Sequence, residues 1–351
     1  MRNVLYIVMP LAFIAMVVGI YCGIIRIGQP LPSGAYLPIA HHGVLMAGSF
    51  LGTLICLERV ATFPDKRAWI TVILMALSLP LFIFNQAQYG VLCLLTGSIG
   101  YCWISFSNYR KFRLKGDLIM AIGSVFQLVA YIIFFMTFSY PRAFAGWLLF
   151  LVLTIVGERL NLTRFLPVSK KAFYEACFWI GLLLVSSFLY HLGSRMVVGA
   201  SMIGLAVWLL RYDIVRVNLK QEGHYHFLGL ALMLAYLWLA VTGGLSMLEM
   251  GNPYLYDAVL HSFFVGFVLA MILAHAPIIF PGLLGIQTTP FHPVMYLWLA
   301  GLHASLVIRI YGDMTENFEL RKLGGIYNGV FFLLYILTVL GLIIQFKRNK
   351  Q

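Results

Sequence analysis

The chain has 351 residues, of which 62% are hydrophobic and 10% charged, with a formal net charge of +12. So apolar a composition lies outside the range of soluble globular domains and marks an integral membrane protein. The basic balance does not indicate nucleic acid, because the Lys and Arg residues sort by side of the membrane and so report orientation and contact with anionic lipid.

Apolar runs of roughly 20 residues mark bilayer-crossing helices. Twelve are predicted, at about 3–25, 37–59, 67–85, 88–107, 116–139, 143–165, 171–190, 194–213, 225–247, 257–281, 291–311 and 323–346. Connections are short, so residues 1–351 are expected to form a single integral membrane domain, an all-α polytopic bundle. The first run is too long and too apolar for a cleaved signal peptide and is expected to be retained. With a cytoplasmic N-terminus the inner side collects Arg2; Arg59, Lys66 and Arg67; Arg110, Lys111, Arg113 and Lys115; Arg159, Arg164, Lys170 and Lys171; Arg211, Arg216 and Lys220; and Lys347, Arg348 and Lys350. These are most of the 24 basic residues, and the positive-inside rule then places both termini in the cytoplasm. The five cysteines, Cys22, Cys56, Cys93, Cys102 and Cys177, have no paired spacing and read as buried membrane thiols.

In chain order, the first span is uniformly apolar and shows no chemistry. The second, LPIAHHGVLMAGSFLGTLICLERV, opens with His41 and His42 and closes on Glu58 and Arg59. Neighbours on a helix point about 100° apart, so only one of the two histidines faces a given site squarely. Gly48 and Gly52 follow at a spacing that lets a neighbouring helix or a flat ligand approach the backbone. Spans three to five carry no ionisable residue in their cores and read as scaffold. Span six ends on Glu158 and Arg159, as span two ends on Glu58 and Arg59; the two pairs are local anchors or halves of a cross-helix bridge.

Span seven ends at His191, and the connection before span nine carries His224 and His226, an H-x-H pair that suits copper or zinc or a plain polar surface. Span nine is apolar and rich in aromatics, which read as packing. Span ten, DAVLHSFFVGFVLAMILAHAPIIFPGLLG, carries His261 and His275, fourteen residues apart. At about 1.5 Å of rise and 3.6 residues per turn they stand roughly 21 Å apart on one face, so they serve two sites and not one. Pro277 and Pro281 are expected to break this helix near its inner end. Span eleven follows His292 and carries His303 near mid-membrane and Arg309 near its outer end.

Spans two, six and ten fall at equivalent places if the chain is three successive four-helix arcs. Spans two and ten share more: His42 and His261 each lie near the outer end, with Gly48 or Gly266 shortly after. Imidazole inside a membrane is costly and is kept for hydrogen bonding, proton relay or metal binding. Two helices that present one histidine each at the same depth can hold a haem between them, the glycines making room for the macrocycle and outer arginines, Arg26, Arg142, Arg195 or Arg309, neutralising the propionates.

The segments HHGVLMAGSFLGTLI, GERLNLTRF, FLGLALMLAYLWLAV and LHSFFVGFVLAMI, with the twelve-span layout, resemble the NnrS family of bacterial haem- and copper-containing membrane proteins linked to nitric oxide stress and denitrification. More distantly the chain is similar to the catalytic subunit of haem-copper oxidases, in which spans two and ten supply the ligands of a low-spin haem. The resemblance implies a bacterial inner-membrane protein that handles nitric oxide or respiratory electrons. It implies a b-type haem on His42, chosen over His41 by its HGVLM context, and His261, with a redox partner left open. A second site near His275, helped by His224, His226, His292 or His303, would take copper or another haem. Span six has no histidine and span ten has no second histidine beside His261, so the copper triad of the oxidases is missing. Two other readings compete: a transporter whose histidines bind metal or relay protons, and an assembly subunit whose histidines are satisfied by backbone carbonyls.

Overall fold

The computed structural model describes residues 2–32, 37–188, 194–249 and 251–349; His191 and Lys350 lie outside them. It is an all-α polytopic bundle. The long helices are α1 (Arg2–Arg26), α2 (Ile39–Ala61), α3 (Ala68–Ile83), α4 (Ala87–Phe112), α5 (Lys115–Thr137), α6 (Tyr140–Thr163), α7 (Lys170–Phe188), α8 (Arg195–Tyr212), α9 (Gly223–Ser246), α10 (Leu255–Leu283), α11 (Val294–Met314) and α12 (Phe318–Arg348). Among the described residues eleven helices are long and apolar enough to cross a membrane, and α3 is a shorter apolar helix. Helices this long and apolar satisfy their own backbone within lipid, so the chain is a multi-pass membrane protein.

The chain divides into two compact units, Met1–Asn161 and Leu162–Gln351. The division leaves six long helices in each unit, its boundary falling near the end of α6. In the first unit the turns are tight. The helices α4 and α5 end on Arg113 and Phe138, both in the left-handed region at φ 54° and 47°, with amides bonded back to Tyr109 and Phe134 carbonyls. That closes the orphan carbonyls at the helix end and reverses the chain within two residues. The ends of α2 and α6 meet: Arg59 Nη2 lies 4.0 Å from a Glu158 carboxylate oxygen, and Arg159 Nη2 lies 3.9 Å from the other. Glu158 thus serves both arginines, so the two Glu-Arg sequences form a cross-helix bridge. Beside it Asn161 donates to Asp117 at 2.7 Å and accepts the Gly116 amide at 3.1 Å, tying α6 to the start of α5.

In the second unit α12 begins on Asn317, whose side chain accepts the Leu320 amide at 3.1 Å as an N-cap. Trp208 of α8 donates to the Ala172 carbonyl of α7 at 2.7 Å, and Tyr236 of α9 donates to Asp213 at 2.6 Å. One expectation is corrected here: α10 is continuous through Pro277 and Pro281. A helical proline leaves the carbonyl four residues earlier without its amide. For Pro277 that carbonyl is Leu273, and the buried Tyr335 hydroxyl of α12 donates to it. The break is avoided because a neighbouring helix supplies the missing donor. None of the five cysteines is in a disulfide: Cys22 and Cys56 are buried, Cys93 and Cys102 half-buried and Cys177 exposed.

Candidate functional site

In the first unit His42 and His41 point to different neighbours, as adjacent helical residues must. Nδ1 of His42 lies 2.6 Å from the Gly19 carbonyl of α1, and the ring rests against Gly23, one turn further on. A Cβ at Gly23 would stand 2.7 Å from His42 Cε1, closer than real carbon contacts allow, so α1 needs glycine there to seat the imidazole. A carbonyl can only accept, so Nδ1 carries the proton and the lone pair of the neutral ring sits on Nε2. His41 turns toward aromatic side chains, 5.3 Å from the Phe82 ring and 6.4 Å from Phe138, and its buried Nδ1 has no hydrogen-bond partner.

Directly after His42 and one α-helical turn, α2 becomes π-helical over Leu45–Gly52, where the Thr53 amide reaches back five residues to the Gly48 carbonyl. Directly after His261, α10 becomes π-helical over Ser262–Leu269. Such stretches are uncommon and occur often at functional sites. The two helices therefore match in backbone as well as in the order histidine, then glycine.

In the second unit His261 sits with its Nδ1 2.9 Å from the Asp257 carbonyl, one turn earlier, and 3.4 Å from that residue's Oδ1. It too is an Nδ1–H tautomer when neutral, with its lone pair on Nε2. Asp257 Oδ2 is held by Arg309 Nη2 at 2.9 Å and Arg321 Nη2 at 3.4 Å. Arg321 Nε also lies 2.9 Å from Asp313 Oδ1, off the line of a hydrogen bond, and its guanidinium lies over the Tyr254 ring at 4.6 Å. Asp313 is fully buried, and Asn252 donates to its main-chain carbonyl at 2.8 Å. Three helices, α10, α11 and α12, thus share one buried ion network.

Neither Gly48 nor Gly266 faces open space. Gly48 packs on Leu94 and the Tyr131 hydroxyl, and Gly266 on the indole of Trp238, so both serve close helix packing. Arg309 is engaged by Asp257, which leaves its Nε as the buried atom without a partner. His303 is buried, and its Nδ1 accepts the Trp238 indole N–H at 2.8 Å. Its neutral ring must carry the proton on Nε2, so no lone pair is left for a metal. His275 repeats the helical pattern, with Nδ1 2.6 Å from the Met271 carbonyl. Nδ1 of His226 is paired with the Tyr296 hydroxyl at 2.9 Å, and Nδ1 of His292 accepts the Val294 amide at 3.2 Å. His224 packs near Phe291 with both ring nitrogens buried and without a partner. Among the described residues no three His, Cys, Asp or Glu side chains gather as a metal-binding group.

Sequence reasoning passed over α1 as featureless, yet Gly19 and Gly23 seat His42. Their small-xxx-small spacing was the available signal. It also passed over Asp257 and Arg321, which stand one turn from His261 and near the start of the last span.

A family model described as Domain of unknown function (DUF8744) matches residues 4–344. No curated protein and no solved structure matches the chain.

Proposed function

For this member of the DUF8744 family, we propose a haem-binding membrane protein of the NnrS type. It carries a b-type haem with His42 and His261 as iron ligands and acts in the nitric oxide response or in respiratory electron transfer. In this reading it lies in a bacterial inner membrane with both termini cytoplasmic, as the distribution of Lys and Arg favours. The observation that carries the proposal is the matched pair of histidines. Each has its Nδ1–H directed at a backbone carbonyl, which puts the lone pair on Nε2, and a π-helical stretch follows each, three residues after His42 and directly after His261.

A metal-ligating imidazole normally has its other nitrogen held in this way, by a carbonyl or carboxylate. When bound, a haem held by two imidazoles would supply one-electron chemistry. The protein's part is to fix each imidazole in the ligating tautomer and to hold the second beside a carboxylate clamped by two arginines. Copper is left out of this proposal, because Nδ1 of His303 and of His292 accepts a hydrogen bond, which puts the proton on Nε2, and among the described residues no three-residue donor group forms.

The test is the absorption spectrum of protein purified from haem-sufficient cells. A Soret band, with α and β bands that sharpen on reduction and a pyridine haemochrome of the b type, supports the proposal if the His42→Ala and His261→Ala variants each lose it. A colourless protein that does not take up added haem contradicts it.

A further inference from the structure

The two candidate ligands differ in what stands behind them, and the difference is confined to one side chain. Behind His42 is a neutral carbonyl from another helix. Behind His261 the same residue, Asp257, supplies both a carbonyl at 2.9 Å and a carboxylate oxygen at 3.4 Å. The carboxylate cannot easily turn away. Its Oδ2 lies between Arg309 and Arg321, which leaves Oδ1 toward the imidazole. Arg321 is fixed in turn by Asp313 and by the Tyr254 ring.

Resting on the haem reading, we propose that Asp257 is the positioning residue of His261. Its carboxylate, clamped by Arg309 and Arg321, holds the ring in place and strengthens Nε2 as an electron donor to iron. A negative charge beside an imidazole N–H pulls on that proton and makes the opposite nitrogen more basic, the effect of carboxylate–histidine–metal triads. His261 is then the stronger donor of the pair, and it favours the oxidised iron. Asp257, Arg309 and Arg321 would have no such role if the network only fastened α10 to α11 and α12.

The variant Asp257→Asn separates the two cases, since it keeps the backbone carbonyl and therefore the Nδ1–H tautomer while removing the charge. In haem-loaded protein the inference expects unchanged haem content, a raised midpoint potential and altered low-spin EPR g-values. The variant Asp313→Asn removes the same charge from the same network at a residue that pairs with Arg321, and it is expected to move both readouts much less. Unchanged readouts in Asp257→Asn, or equal shifts in the two variants, overturn the inference. A third readout needs no haem: the ¹⁵N shifts of His261 in the apo-protein should change in Asp257→Asn and hold in Asp313→Asn. If the wild type binds no haem the function proposed above fails, whereas the ¹⁵N comparison still decides whether Asp257 acts on His261.

Discussion

His42 and His261 reach the same tautomer by opposite means. In the first unit the ring is held by shape: a carbonyl from α1 takes its proton, and a glycine on α1 gives it space. In the second unit the ring is held by charge, bonding to its own preceding turn beside a carboxylate that two arginines clamp. A position governed by packing should fail when volume is added and be indifferent to remote charge. One governed by an ion network should show the reverse. The pair therefore offers an internal control, each histidine testing the explanation given for the other.

The largest effect should come from breaking the charged side. Removing one partner of a buried ion pair costs about 3–5 kcal/mol, because the remaining charge stays desolvated. Arg309 is buried with Asp257 as its carboxylate partner, so Asp257→Ala should lower stability by about that amount, read as a large drop in the thermal midpoint in detergent. The matching break on the packing side is Gly23→Leu. Overpacking costs roughly 1–3 kcal/mol, and here the added side chain occupies the place of the His42 ring, so haem content should fall while the protein still folds.

Two smaller changes sharpen the comparison by leaving both histidines alone. Trp238→Phe removes the donor to His303 Nδ1. It should cost about 1 kcal/mol with full haem content, which separates His303 from the ligand set. Tyr335→Phe strips the donor from the Leu273 carbonyl that Pro277 leaves open. Polar contacts between membrane helices average about 0.6 kcal/mol; a loss near that size, with unchanged spectrum, is expected in an unfolding titration.

The helices were legible because lipid demands long apolar runs: among the described residues each of the twelve expected runs falls on a helix, eleven of them long enough to span and α3 shorter. The histidines stood out because imidazole is rare in such runs. Three things were not legible. A π-helical stretch leaves no mark in hydrophobic period, since it changes which carbonyl an amide reaches and not which residues are apolar. The ion network draws Asp257, Arg309, Asp313 and Arg321 from three spans, and single-residue depth does not say which helices touch. Pro277 reads as a breaker until Tyr335 is seen to stand beside it.

The Gly48 and Gly266 positions teach the converse. Their spacing after each histidine was read correctly as small residues for close approach, but what approaches is Leu94, Tyr131 and Trp238 of the protein itself. Spacing shows that room exists, and only the neighbours show who fills it.

Low-temperature EPR of the oxidised, haem-loaded protein, labelled with ¹⁵N at histidine, reads the iron's ligands directly. A low-spin ferric signal with imidazole-nitrogen coupling, abolished or converted to high spin in both His42→Ala and His261→Ala, is the result expected if these two rings ligate iron. A signal without histidine coupling, or one that survives both substitutions, would contradict it.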